Sequence, residues 1–379
     1  YGKMAGTDAL VFAYDTGDAV NSYKGAPTVN LLEQPGASSL PFRTDIYNNV
    51  TKTNLGNGKY RFVNDGTGSS TIRVYVTETN FKPDAIHTCS VSYESFQPGE
   101  GTSISLDWCD RGSQSFSISE YGSANRVSIT TFREANPHVP GFFDISLPVN
   151  SSIVLFDAQV EQLPYPTPYT NNERSATEGL LDLTGNEIID LTNVSFDNNA
   201  EIAFDGTNDF IDLGSDVTIK TSGGWTVESV IYYDSVAGGY NNVTSPANFI
   251  GSDSITYNSW YWSVLSNKLA LWNRSPGVWK YGSTTLQPDT WYHAVLVSYD
   301  SGTSYQMYLN GVAEGGDHTT YSWNSNYSGL KVRYIGRGNQ TNTRLVNGNI
   351  SVTKLYNKAL TAAEVKSNFN NYKTRFNIA

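Results

Sequence analysis

The residues with the most to offer chemically are aromatics set among amides. Tyr321-Ser322-Trp323-Asn324-Ser325-Asn326-Tyr327 places three flat rings in a stretch that is otherwise Ser and Asn. Such rings pack on pyranose faces while neighbouring amides bond hydroxyls, and loops on a rigid scaffold are where these groups act. Trp272-Asn273-Arg274, with Trp279 and Tyr281, forms a second group, and Tyr257 to Trp262 a third. The competing reading of each is packing, and alternating Trp260 and Trp262 fit a strand better than a platform. The carbohydrate-binding set expected on these grounds is Tyr321, Trp323, Asn324, Tyr327, Trp272 and Trp279.

Other chemistries find less. His293 lies inside an apolar strand pattern; catalysis would need a carboxylate or nucleophile beside it, so a core histidine bonded to backbone is the expected role. Four His and two Cys are scattered without the spacing of a zinc site. With 25 Lys and Arg against 36 Asp and Glu, the formal charge is -11 and no basic patch is visible, which argues against nucleic-acid binding. No apolar run approaches a membrane span. No signal peptide is visible, and Tyr1 is not an initiator methionine, so the natural chain is expected to begin earlier.

The elements that must position these groups are β-strands. Aromatic residues make up 13% and charged residues 16% of the chain, and strand formers are separated by Gly, Asn, Asp and Ser. The central stretch is Trp291 to Val312. In it Trp291, His293, Val295, Val297 and Tyr299 share one face, and Tyr292, Ala294, Leu296 and Ser298 the other. Both faces are apolar, as in a strand covered on both sides. Asp300-Ser301-Gly302 turns the chain, Tyr305, Met307 and Leu309 alternate on the return, and Asn310-Gly311 turns it again.

This hairpin, spelled W-Y-H-A-V, Y-D-S-G and Y-L-N-G, resembles that of the concanavalin A-like, laminin G-like jelly rolls. Phe204-Asp205-Gly206-Thr207-Asn208-Asp209-Phe210-Ile211, Trp225-Thr226-Val227-Glu228, Tyr334-Ile335-Gly336, Asn347-Gly348-Asn349-Ile350 and Leu355-Tyr356-Asn357-Lys358-Ala359-Leu360 resemble further motifs of that family, in its order. The resemblance implies an all-β protein whose residues 179–379 form a laminin G-like jelly roll with a short terminal helix. Thr361-Ala362-Ala363-Glu364 spells a capping box for a helix running to about Tyr372. Glucanases of that fold use paired carboxylates on one strand; no such spelling occurs in 179–379, so no catalytic residue is expected. Relatives bind calcium through loop oxygens, which makes Asp205, Asn208 and Asp209 candidate ligands. The competing reading is that they shape the turn around Gly206.

Leu10 to Tyr14 resembles the first strand of such jelly rolls, yet the Asp182-Leu183-Thr184-Gly185-Asn186 element that usually follows comes some 170 positions later. Residues 31–165 therefore read as an inserted second sandwich, leaving 1–30 as an N-terminal strand and loop. The strand at 9–14 is expected to pair with Asn349 to Tyr356 and complete the C-terminal sandwich. Ala158-Gln159-Val160-Glu161 with Tyr165 to Tyr169 resembles the closing strand of carbohydrate-binding-module-like jelly rolls in phage virion proteins. Pro164, Pro166 and Pro168 suggest an extended linker over 166–178. Cys89 and Cys109 flank an apparent hairpin turn at Gln97 to Gly101. Pairing Tyr93 with Leu106 and Val91 with Trp108 would turn Cys109 away, so two free thiols are expected rather than a disulfide, in keeping with assembly in a reducing cytoplasm. The resemblance implies a virion fibre, capsid decoration or tail appendage, homo-oligomeric among other virion proteins and binding a host-surface glycan. A secreted adhesin or carbohydrate-binding module, and a polysaccharide hydrolase, are the alternatives.

Overall fold

The computed structural model describes residues 9–32, 42–43, 50–68, 70–75, 84–97, 103–108, 113–117, 125–133, 142–197, 199, 201–219, 223–234, 247–252, 260–273, 277–299, 304–316, 330–338 and 345–379. They form β-strands and one helix. The chain divides into two compact units: 1–26 with 176–197 and 201–379, and 27–175 with 198–200.

The first unit is a sandwich of an eight-stranded and a six-stranded sheet. At its centre Thr290–Tyr299 pairs with Trp225–Tyr233 on one side and Ser304–Leu309 on the other. Both of its faces are covered, as the double alternation predicts. Ala294 and Leu296 point to the core between the sheets, with Trp225, Trp260, Trp262 and Met307. Val295 and Val297 point away from that core and pack with Tyr356, Leu360 and Val365. Asn310 and Gly311 both take positive φ, 51° and 73°, and close a two-residue turn onto Val312–Ala313.

The N-terminal strand Leu10–Asp15 pairs antiparallel with Asn347–Tyr356, setting Leu10 opposite Tyr356 and Tyr14 opposite Thr353. Phe12 and Tyr14 enter the main core, and the Ala13 amide donates to Asp182 Oδ1 at 2.9 Å. The helix Ala362–Lys373 starts at Thr361, whose hydroxyl accepts the Glu364 amide while Glu364 returns the contact to the Thr361 amide. Its Val365, Phe369 and Tyr372 stripe packs on the eight-stranded sheet.

The second unit packs two five-stranded sheets over one core. Here the structure corrects the reading of Gln97 to Gly101 as a hairpin. Ala85–Gln97 pairs with Asn125–Arg133 and Ser151–Glu161, whereas Ser103–Trp108 lies in the other sheet beside Phe142–Leu147. Val91, Tyr93 and Leu106 meet across the core instead of side by side. Parity reports which face is buried, and two strands facing each other obey it as well as two paired ones. Cys89 is buried in this core; Cys109 lies outside the described residues.

The extended linker expected over 166–178 is, over its first part, packed into the unit, which runs to 175. Thr167 is buried, its amide donating to Glu161 Oε2 at 3.0 Å. Gln159 Nε2 donates to Thr167 Oγ1, and the Thr170 amide donates to Gln159 Oε1. Glu173–Arg174 then pairs with Thr28–Val29. The prolines fix φ, but the polar groups between them bond to the strand that precedes them.

Candidate carbohydrate-binding face

Three neighbouring strands of the six-stranded sheet, Trp260–Leu265, Lys268–Asn273 and Val278–Tyr281, carry the candidate site. Ser266 and Asn267 both take positive φ, 54° and 56°, so the first two strands join in a tight two-residue turn. That turn fixes the register: Tyr261 stands opposite Trp272 and Trp262 opposite Leu271. The third strand sets Trp279 opposite Trp272.

The two faces of these strands differ. Trp260 and Trp262 are fully buried in the main core, and Trp260 Nε1 donates to the Lys331 carbonyl at 2.9 Å. Tyr261, Trp272 and Trp279 stand on the opposite face. Tyr261 and Trp272 stack with centroids 4.8 Å apart and planes 8° apart, and Trp279 lies 6.3 Å from Trp272, tilted by 43°. Tyr261 is 4% exposed, and Trp272 and Trp279 are half-buried. Three aromatics thus lie abreast across the end of the sheet.

The same cross-strand row continues inward through Gly251, opposite Tyr261, to Tyr334, opposite Gly251. A Cβ on Gly251 would collide with the carbonyls of Arg337 and Gly338. The chain after Leu330–Ile335 therefore crosses the face there and bounds the aromatic row. Beyond the crossing, the Arg337 guanidinium covers Phe210 at 4.5 Å and Tyr334 at 5.2 Å, and Arg333 pairs with Asp212 at 2.6 Å.

Of the residues expected from the sequence, the structure brings Trp272 and Trp279 together. Tyr321, Trp323, Asn324 and Tyr327 lie outside the described residues. Tyr261 belongs to the third aromatic stretch, Tyr257 to Trp262, but not to the expected set, although the two-residue turn places it opposite Trp272.

Asp205, Asn208 and Asp209 sit in the turn after Ile202–Asp205. Asp205 Oδ1 accepts the amides of Thr207, Asn208 and Asp209 at 2.7, 3.0 and 3.3 Å. Asp209 Oδ2 accepts the Asp205 amide at 3.0 Å and its Oδ1 the Ser195 hydroxyl at 3.2 Å. Burial pushes the Asp205 carboxyl up, but these amides hold it below the usual carboxylate range; for Asp209 burial wins and the carboxyl is raised. Both carboxylates are engaged in closing the turn, and among the described residues no three His, Cys, Asp or Glu gather as a metal site requires.

His293 differs from the sequence reading. Its Nε2 meets Glu228 Oε1 at 2.7 Å, so the bond is to a carboxylate and not to backbone. Glu228 Oε2 also accepts the Tyr356 hydroxyl at 2.6 Å and Asn368 Nδ2 at 3.0 Å. Burial raises the Glu228 carboxyl, yet the His293 hydrogen bond and the charges of His293 and Lys354 bring it below its ordinary value. Burial pushes the Tyr356 hydroxyl well up. Glu228 and His293 are both 0% exposed beneath the helix. The pair has the groups of an acid–base site but no route for a substrate, and it serves to bond the helix to the sheet.

Residues 205–366 match the model of the concanavalin A-like lectin/glucanases superfamily. No curated protein matches the chain by sequence. Solved structures to which it is similar include the binding domain of Paraclostridial mosquitocidal protein 1, at 14% identity and a TM-score of 0.39 over 51% of this chain and 49% of that one. The binding domain of botulinum neurotoxin serotype G is similar at 13% identity and a TM-score of 0.40, over 52% of this chain and 49% of that one. Domain 4 of an extracellular arabinanase from Geobacillus stearothermophilus, solved with arabinotriose, is similar at 16% identity and a TM-score of 0.36, over 51% of this chain and 91% of that one. The chain thus spans about half the length of the first two.

Proposed function

We propose that this chain is a glycan-binding protein whose C-terminal sandwich holds a saccharide against Trp272 and Trp279. The observation that carries the reading is the aromatic row itself, fixed by strand register on the outward face of the sheet. The face of an aromatic ring is electron-rich, and the C–H bonds of a pyranose present it with weakly positive hydrogens. Trp272 and Trp279 lie outside the main core and stay half-buried beside the Tyr261 stack, which leaves ring surface for a ligand. The match of 205–366 to a superfamily that includes lectins supports the same reading. Hydrolysis has no support in Glu228, whose carboxylate is sealed from solvent. A glycan array probed with the full chain tests the proposal: saturable retention on at least one glycan is expected, and no retention on any would overturn it.

The setting we propose is a virion, as a fibre, capsid decoration or tail appendage assembled in the host cytoplasm. Its support is the resemblance of Ala158-Gln159-Val160-Glu161 and the following Tyr-Pro stretch to virion jelly rolls. Mass spectrometry of purified particles from a producing culture tests it. Recovery of the chain only from the secreted fraction would favour an adhesin.

A further inference from the structure

The space beneath the helix holds more than the Glu228–His293 bond. Glu228 stands opposite Lys354 in the pairing of Trp225–Tyr233 with Asn347–Tyr356. Val352 and Tyr356, on either side of Lys354, face the helix, and strand alternation puts Lys354 on that face too. Lys354 is 4% exposed, and its Nζ lies 5.3 Å from the centre of the Tyr372 ring. Asn368, one helical turn before Tyr372, is 0% exposed. Its Nδ2 donates to Glu228 Oε2 at 3.0 Å and to the Tyr356 hydroxyl at 3.3 Å. A primary amine, a carboxamide and a carboxylate are thus enclosed together between sheet and helix.

A lysine is poorly suited to holding a helix on a sheet. Its ammonium must leave water, and an apolar side chain of similar volume packs without that cost. Glu228 and Asp15 favour the charged form and Arg375 opposes it, but burial is the largest influence and lowers Lys354 below its ordinary range. A desolvated amine is a nucleophile. The carboxamide is fixed by its two bonds, and Glu228 Oε2 touches the nitrogen that would leave. The other carboxylate oxygen is fixed by His293 Nε2.

We propose that Lys354 and Asn368 join in an intramolecular isopeptide bond, with Glu228 as the proton carrier. The Lys354 ammonium passes a proton to Glu228, and the neutral Nζ attacks Cγ of Asn368. Glu228 protonates the departing Nδ2 and takes a second proton from Nζ. The Nζ–Cγ bond forms and the Cγ–Nδ2 bond breaks. The nitrogen departs as ammonium, carrying the proton that the lysine began with, and Glu228 ends as a carboxylate. Nothing is oxidised or reduced. The burial that bars an outside substrate from Glu228 is no obstacle, because both reactants belong to the chain and are already held together. The bond ties the closing strand to the terminal helix.

Mass spectrometry of the full chain, after expression and prolonged storage at neutral pH, tests this. The intact mass is expected to be lower by one ammonia. Trypsin should release residues 345–358, uncut at Lys354, joined to residues 367–373. Lys354→Met should restore the full mass, and Glu228→Gln should lower the linked fraction at least tenfold at equal age. The peptide map of the parent decides the matter even where a variant fails to fold. The inference is overturned if the parent keeps its full mass and releases 367–373 as a separate peptide, or if the link joins another pair of residues. It is equally overturned if the lost ammonia lies within one peptide, as a succinimide at Asn347-Gly348 would place it. A folded Glu228→Gln variant that links as the parent does would overturn the role given to Glu228.

Discussion

Trp272 lies flat on Tyr261, with ring planes 8° apart, because the two stand directly opposite each other in adjacent strands. The stacking fixes the tryptophan before any ligand arrives. A side chain already held in one rotamer loses little entropy on binding, which favours affinity without adding contacts. Tyr261 thus acts on the site through Trp272.

The N-terminal strand is part of the C-terminal core. Phe12 is fully buried there. Phe12→Ala is expected to cost about 3–5 kcal/mol, the range for a large aromatic removed from a core. Urea unfolding followed by tryptophan fluorescence measures it. A loss below about 0.5 kcal/mol, the scale of an ordinary surface change, would show that residues 10–15 are peripheral.

The buried Glu228 network predicts both a stability loss and a pH dependence. Glu228→Ala removes the acceptor of His293 Nε2 and of the Tyr356 hydroxyl and one of the acceptors of Asn368 Nδ2, and should cost about 3–5 kcal/mol. The folded carboxyl titrates below its unfolded value of about 4.3. Its contribution is therefore complete above that value and is lost as pH falls through the lower, folded one. Glu228→Gln has no charge to lose, so its urea midpoint should fall less steeply than the parent's below about pH 4.3. Parallel curves for the two proteins would contradict this.

The turn at Asp205 to Asp209 holds itself. Its carboxylates already accept backbone amides, so EDTA is expected to leave the melting temperature unchanged. A calcium-dependent rise of about 3 °C or more, equivalent to roughly 1 kcal/mol for a domain of this size, would assign these residues to a metal instead.

What the sequence discloses depends on how locally it is encoded. The alternation in Thr290–Tyr299, the Asn310-Gly311 turn and the Thr361 capping box are each spelled within a few residues, and each forms as spelled. The Glu228–His293 bond spans 65 positions and depends on the pairing of Trp225–Tyr233 with Thr290–Tyr299, which no local pattern fixes. The false hairpin at Gln97 to Gly101 fails for a related reason, since facing and paired strands share the same parity. Tyr261 was within reach: once Ser266-Asn267 is read as a two-residue turn, counting outward from it pairs Tyr261 with Trp272. The extended linker expected over 166–178 rested on its prolines, and the return of the Thr167 amide and hydroxyl onto the Glu161 carboxylate is a contact that composition does not encode.

The central claim is that Trp272 and Trp279 bind sugar. Its most direct test is glycan affinity of the double variant Trp272→Ala/Trp279→Ala, measured by titration against whichever array glycan the parent retains, with melting temperatures taken alongside. Both rings are half-buried on the outward face and neither joins the main core. The account predicts that affinity falls at least tenfold, about 1.4 kcal/mol, while the melting temperature shifts by no more than about 4 °C, roughly 1 kcal/mol of stability. Unchanged affinity in a folded double variant would contradict it.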